Sequence, residues 1–216
     1  MMRTALLVGI SGLAGRSLLE TLLNNRNFKK ITVFTRRDTK RLKNIHLKRV
    51  LVDFSAIENY KDEFEGINDV FCLLGTDYII TKDLEDASSF DYEYPLRFAK
   101  TAKAAGIKNF YLLSSTSAQI NSTNPKHSLR AKLEQEMQAL GFENFYIFRV
   151  NHVGKSANDS STLYVAKRGL SKVINLVGFG ILGRITQTPA NLLARKMVEI
   201  ALSASAEQHL FNPKDY

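Results

Sequence analysis

A single cysteine, Cys72, four prolines and no tryptophan are spread through 216 residues. One thiol cannot close an internal disulfide, and it cannot build a cysteine-based zinc cluster. Acids are also scarce, with 21 Asp and Glu against 30 Lys and Arg, a formal net charge of +9. Near the amino terminus the apolar run Ala5-Leu6-Leu7-Val8 ends at Gly9. That run is too short for a signal-peptide core or a membrane span. The expectation is a cytoplasmic protein with no transmembrane segment. A longer apolar stretch, 163 to 185, carries Lys167, Arg168, Lys172 and Arg184, which predicts amphipathic packing.

The remaining composition, 44% hydrophobic and 24% charged, is that of one folded domain and excludes disorder or a collagen-like repeat. The basic excess is local. Arg36, Arg37, Lys40, Arg41, Lys43, Lys48 and Arg49 face a single acid, Asp38, within one segment. Strong positive charge draws polyanions. This segment, however, lacks interleaved aromatics and any recognition fold, so nucleic-acid binding ranks last and a solvated basic face is preferred.

Short apolar runs alternate with helical patterns. Strands are predicted at 5–9, 31–35, 49–52, 69–74, 109–113 and 143–149. Helices are predicted at 13–24, 56–64, 92–105 and 125–140, then at 163–176 and 189–203. Thr188 is read as the cap of the last helix and Pro189 as its first residue. Apolar strands interleaved with helices imply a parallel sheet covered on both faces. The chain reads as one α/β domain over 1–216, with a small carboxy-terminal helical elaboration.

The first strand meets the first helix at Gly9-Ile10-Ser11-Gly12-Leu13-Ala14-Gly15. Glycine permits backbone angles that other residues resist, and absent side chains let a pyrophosphate approach the amides. A helix amino terminus adds free N–H groups and a favourable dipole. The position of this turn in an α/β chain favours phosphate or dinucleotide binding by Gly9, Ser11, Gly12, Leu13 and Gly15. An NAD site wants an acid at the end of the second strand. Phe34-Thr35-Arg36-Arg37 offers two guanidinium groups instead, which suits a 2′-phosphate and favours NADP(H) over NAD(H). The alternative for Arg36 and Arg37 is membership of the basic surface. Asp53 either accepts a bond from an adenine amino group or caps the helix that follows. Leu74, Gly75 and Thr76 end the fourth strand beside the presumed cofactor, and Cys72 reads as an inert core thiol.

These residues resemble the short-chain dehydrogenase/reductase superfamily, in its atypical NAD(P)-binding branch with NmrA-like regulators and Tat-interacting-protein-like oxidoreductases. The resemblance covers essentially the whole chain. It rests on the glycine turn, Arg36-Arg37, Asp53 and Leu73-Leu74-Gly75-Thr76. It also rests on Ala99-Lys100-x-x-Lys103-Ala104-x-Gly106, Leu113-Ser114-Ser115 and Lys132-x-x-x-Glu136. It implies a doubly wound Rossmann sheet of six to seven parallel strands, with the nicotinamide at the ends of the fourth and fifth strands. It further implies a small substrate cap over 153–187, and by analogy a homodimer.

Active members carry a Tyr-x-x-x-Lys pair, in which a nearby ammonium lowers the tyrosine pKa so that it exchanges a proton with substrate. Here the resemblance puts Lys132 in the lysine position and Ser128 in the tyrosine position. An aliphatic hydroxyl does not titrate in this range. His127, adjacent, is a conceivable substitute acid. Ser114, Ser115 and Thr116 keep a hydroxyl-rich strand end, with Ser115 the candidate that orients substrate. Tyr78, Tyr92, Tyr94 and Tyr164 are alternative donors from loops. The Arg-Pro-Gly of the family reads Arg149-Val150-Asn151 here. Two functions stay open, a cofactor-sensing or regulatory protein that holds NADP(H), or an NADPH-dependent reductase of a small carbonyl or quinone with an unorthodox proton donor.

Overall fold

A computed structural model of the chain describes residues 2–36, 44–75, 88–154, 187–203 and 209–216. The strands within them are β1 (Arg3–Val8), β2 (Phe28–Thr35), β3 (Leu47–Leu51), β4 (Asp69–Cys72), β5 (Asn109–Ser115), β6 (Asn144–Val150), β7 (His152–Gly154), β8 (Gln187–Pro189) and β9 (Leu210–Phe211). Seven of them form one sheet in the order β3-β2-β1-β4-β5-β6-β9, parallel at every pairing. Strand order reverses between β1 and β4, which leaves a crevice at their carboxyl ends.

Helices α1 (Leu13–Leu23), α2 (Tyr94–Ala104), α3 (Pro125–Ala139) and α4 (Ala190–Leu202) cover the sheet, with a kinked run of 3₁₀ turns over Phe54–Phe64. Strand side chains alternate in direction, so each strand feeds two cores. Ala5 and Leu7 of β1 pack in the layer that holds Leu18 and Leu22 of α1 and Leu193 and Met197 of α4. Leu6 and Val8 enter the other layer, with Phe98 of α2 and Leu133 and Met137 of α3. The expected doubly wound sheet is therefore present, with seven strands.

Register is fixed by aromatic rings. Phe71, Tyr111 and Tyr146 lie directly opposite one another across β4, β5 and β6. Their rings stack at centroid distances of 4.5 and 5.2 Å, and His209 extends the row at 5.1 Å from Tyr146. Slipping one strand by a residue would send its ring to the opposite face. Each such pair contributes about 0.5–1.5 kcal/mol beyond burial.

Three details differ from the sequence reading. Pro95 sits in the first turn of α2, where a proline is tolerated, but the helical path predicted from 92 begins earlier, with one turn of π-helix over Ser89–Glu93. The chain thus stays helical upstream of a proline that would break a longer α-helix. Thr188 is not the cap of α4. It pairs with Val153 in a two-stranded β7–β8 ribbon, and Pro189 occupies the cap position. β9 was not anticipated; it supplies the sheet edge, and the Tyr216 hydroxyl donates to the Arg149 carbonyl at 2.8 Å. The expected helix at 163–176 lies outside the described residues, as does all of the expected cap region except its ends, which form β7 and β8.

The amino ends of β1 and β4 are tied by charge. The Arg3 guanidinium donates two hydrogen bonds to the Asp69 carboxylate, both at 2.6 Å, and Tyr111 donates a third at 3.1 Å. Burial pushes the Asp69 carboxyl up from its ordinary pKa, and the bonds from Arg3 and Tyr111 oppose that shift. Arg3→Met strands this carboxylate and is expected to lower unfolding stability by about 3 kcal/mol at neutral pH, measured in urea. The stranded carboxyl, raised by burial, then holds a proton in the native state above about pH 4, where the unfolded chain has released it. The variant's stability therefore falls as pH rises through that window, and its deficit is smaller at about pH 4.5 than at about pH 8.

Candidate functional site

The three glycines of the first turn do different work. Gly9 has φ +94°, and a Cβ there would lie 2.3 Å from the Leu73 carbonyl oxygen. Any side chain would push the turn off the end of β4. A Cβ on Gly15 would lie 2.2 Å from the Gly9 oxygen, so this glycine seats α1 against its own turn. Gly12 is different, because nothing lies within 4 Å of its missing Cβ. It begins α1 with extended backbone, and no side chain caps the helix. Ser11, Gly12 and Leu13 are exposed, and the first-turn amides keep the free donors of a helix start. Room, donors and helix dipole meet there, a combination that fits a diphosphate.

Arg36 follows β2, exposed, with its guanidinium 4.2 Å from the centre of the Phe90 ring. Phe90 meets Tyr94 edge to face at 5.0 Å, and Tyr94 stacks on Phe54 at 6.0 Å. An aromatic row thus positions this arginine beside the crevice. Arg37 and Thr76 lie outside the described residues, together with residues 38–43 of the basic segment. Asp53 caps the 3₁₀ run, accepting from the Ser55 amide at 2.8 Å and the Ser55 hydroxyl at 2.6 Å. Those bonds hold its carboxyl below the ordinary range. The capping alternative is thus realised. Burial pushes the Cys72 thiol up to about 12, which keeps it protonated.

Lys132 does not turn toward the sheet. Its side chain is 54% exposed, its ammonium lies 3.8 Å from Glu136, and it sits 4.9 Å from the centre of the Tyr92 ring. The Tyr92 hydroxyl donates to Glu136 at 2.7 Å. Burial and that carboxylate raise the tyrosine pKa, which is the reverse of what a proton donor paired with lysine requires. Ser128 donates to the Pro125 carbonyl at 3.0 Å, Ser115 shares a hydrogen bond with Ser117 at 2.7 Å, and His127 Nδ1 lies 3.4 Å from the Ser122 hydroxyl. Among the described candidates Lys132 and Tyr92 therefore meet, in contact with Glu136, whereas Ser115, His127 and Ser128 are held by other partners. Tyr78 and Tyr164 lie outside the described residues.

Sequence reasoning passed over the residue of α3 that does reach the strand ends. Arg130 Nη2 donates to the Leu74 carbonyl at 3.1 Å and to Asp91 Oδ1 at 2.8 Å. A Cβ on Gly75 would fall 1.8 Å from the same nitrogen. Helical spacing was the available signal, since Arg130, Leu133 and Met137 share one face at i, i+3 and i+7, and the latter two are buried. One turn further on, buried Glu134 accepts from Ser114 and from Arg149, the latter through two bonds at 2.5 and 3.1 Å. Among the described residues no group of three His, Cys, Asp or Glu could hold a metal ion, and no helix is long and apolar enough to cross a membrane.

A doubly wound parallel sheet with a glycine turn opening its first helix defines a Rossmann-type protein of the short-chain dehydrogenase/reductase superfamily. Within that class, the chain belongs to the NAD dependent epimerase/dehydratase family, whose sequence profile matches residues 5–204. It is 31% identical to Protein HTATIP2 of Rattus norvegicus over 154 residues, covering 68% of this chain and 61% of that protein. The chain thus spans less than two thirds of that relative. Protein fmp52-1, mitochondrial, of Aspergillus terreus is 22% identical over 207 residues, 94% of this chain and 89% of that one. Among solved structures, Pen from Bacillus thuringiensis has a TM-score of 0.69 at 18% identity, covering 95% of this chain and 67% of that one. The Bordetella bronchiseptica enzyme WbmH, in complex with NAD+, has a TM-score of 0.68 at 16% identity, covering 98% and 75%. At these identities the structural likeness is one of fold.

Alanine at Gly9 and at Gly12 separates their roles. Gly9→Ala is expected to lose at least about 3 kcal/mol through the positive φ and the clash with Leu73. Gly12→Ala is expected to stay within about 1 kcal/mol of the parent, the scale of a cap substitution. Urea unfolding of both variants checks the order.

Proposed function

We propose that this protein binds NADP(H) across the carboxyl ends of β1 and β4, and that binding rather than turnover is its principal activity. One observation carries the reading, the open and uncapped start of α1 at Gly12. In this reading the diphosphate lies on the amides of Ser11, Gly12 and Leu13. Arg36 takes the 2′-phosphate and keeps its stack on Phe90 as an adenine-side wall. Leu74 and Gly75 border the far half of the dinucleotide. Support comes from the family match and from fold neighbours in complex with NAD, one the Bordetella bronchiseptica enzyme and one from Agrobacterium tumefaciens.

Binding is favoured over reduction because of the described hydroxyls and imidazole. A bound reduced cofactor supplies a hydride, and the carbonyl oxygen then needs a proton. The Tyr92 hydroxyl donates its hydrogen bond to Glu136, and that of Ser128 to a backbone carbonyl. Neither is poised as an acid at neutral pH. The alternative reading, an NADPH-dependent oxidoreductase of a small carbonyl or quinone, draws that proton from water or from His127.

Thermal shift with NADPH, NADP+, NADH and NAD+ tests the proposal. At 100 times the dissociation constant a ligand adds about 2.7 kcal/mol of stability. The phosphorylated pair is expected to stabilise more than the other pair. Arg36→Ala is expected to weaken NADPH about tenfold, the scale of one charge-assisted bond, and to leave NADH unchanged. Equal or absent shifts with all four nucleotides overturn the assignment.

A further inference from the structure

We infer that Arg130 is the residue by which α3 serves the cleft, donating a hydrogen bond to an uncharged oxygen on the nicotinamide-riboside half of the dinucleotide, and that Lys132 has no part in it. This rests on the dinucleotide-binding reading above.

The guanidinium is only half used. Nη2 is shared between the Leu74 carbonyl and Asp91, whereas Nη1 is buried and has no hydrogen-bond partner among the described residues. A buried N–H donor without an acceptor is costly to keep, and the vicinity of such a donor is where an acceptor is expected. The side chain is 13% exposed and its partner Asp91 4%, so the pair is built into the fold rather than lying on its surface. Gly75, whose missing Cβ would fall 1.8 Å from Nη2, is itself exposed, so the guanidinium that carries the spare Nη1 lies directly behind an exposed glycine just past β4.

Charge selects the kind of oxygen. Asp91 already neutralises the guanidinium, so a second carboxylate or a phosphate would be repelled by it at short range. A hydroxyl or carbonyl oxygen accepts the spare N–H without that penalty, and these groups are the oxygens of a riboside and a carboxamide. Arginine cannot give up its proton in a protein. Arg130 therefore positions and does not act as an acid. Helix geometry separates it from Lys132, because two residues along an α-helix turn the side chain through about 200°. Arg130 lies under α3 with Leu133 and Met137, and Lys132 lies outside with Glu136.

The test compares NADP+ with adenosine 2′,5′-bisphosphate, which lacks the nicotinamide riboside, in equilibrium binding to the full chain well below its unfolding temperature. Arg130→Met is expected to weaken NADP+ about tenfold, the value of one hydrogen bond to a charged donor, and to leave the bisphosphate unchanged. Lys132→Met is expected to change neither. Asp91→Asn keeps the guanidinium and is expected to hold NADP+ affinity within about threefold. If Arg130→Met does not fold, Arg130→Lys carries the same comparison. Equal losses for both ligands, or losses in Asp91→Asn matching those in Arg130→Met, mean a purely structural pair and overturn the inference. So does unchanged NADP+ binding in a folded Arg130 variant, or a comparable loss in Lys132→Met. Failure of the parent chain to bind either ligand defeats the dinucleotide reading itself, a distinct result.

Discussion

At the crossover of the sheet, main chain meets main chain. The first turn lies against the Leu73 carbonyl so closely that no side chain fits at position 9, and the adjoining helix lies equally close at position 15. That contact locks the end of β1 to the end of β4 and lays α1 back on the sheet from an exposed start. The crevice, the placement of Leu74 and Gly75, and the reach of Arg130 all follow from where this contact puts the two strand ends. Hydrophobic burial on both faces holds the sheet, but burial alone would tolerate a shifted turn. Backbone contact at this spacing does not.

The opposite end of the same two strands is closed by different means. Arg3, Asp69 and Tyr111 form a charged and hydrogen-bonded plug at their amino ends. Polar groups are paired there, and the carboxyl ends keep open space and an unsatisfied donor. This polarity is general for open α/β sheets, in which the carboxyl ends carry ligands.

Much of this architecture could be read directly from the chain. Strands buried on both faces appear as continuous apolar runs, so β1, β2, β4, β5 and β6 were anticipated, with edges displaced by a few residues at most. The glycine turn was visible because positive φ and close approach exclude other residues. The two-residue β9 was not visible, since its pairing depends on His209 and Phe211 meeting β6 from more than sixty residues away. Arg130 was obscured for a related reason. Two overlapping i, i+4 pairs, Lys126 with Arg130 and Ser128 with Lys132, both end in a cation, and spacing does not choose between them. The choice is made by which helix face is buried, and Leu133 and Met137 settle that only once α3 is laid on the sheet. Asp91 and Leu74, the partners of Arg130, lie 39 and 56 residues away in sequence.

The π turn at Ser89–Glu93 joins two arginines that otherwise have nothing in common. Phe90 carries the ring beneath Arg36, and Asp91, its neighbour, holds Arg130. A π turn accommodates one more residue than an α turn. Removing that extra residue would rotate Phe90 and Asp91 by about 100° relative to α2. Neither side chain would then face its arginine. A single-residue deletion in this turn would therefore disengage both arginines at once while leaving the seven-stranded scaffold in phase.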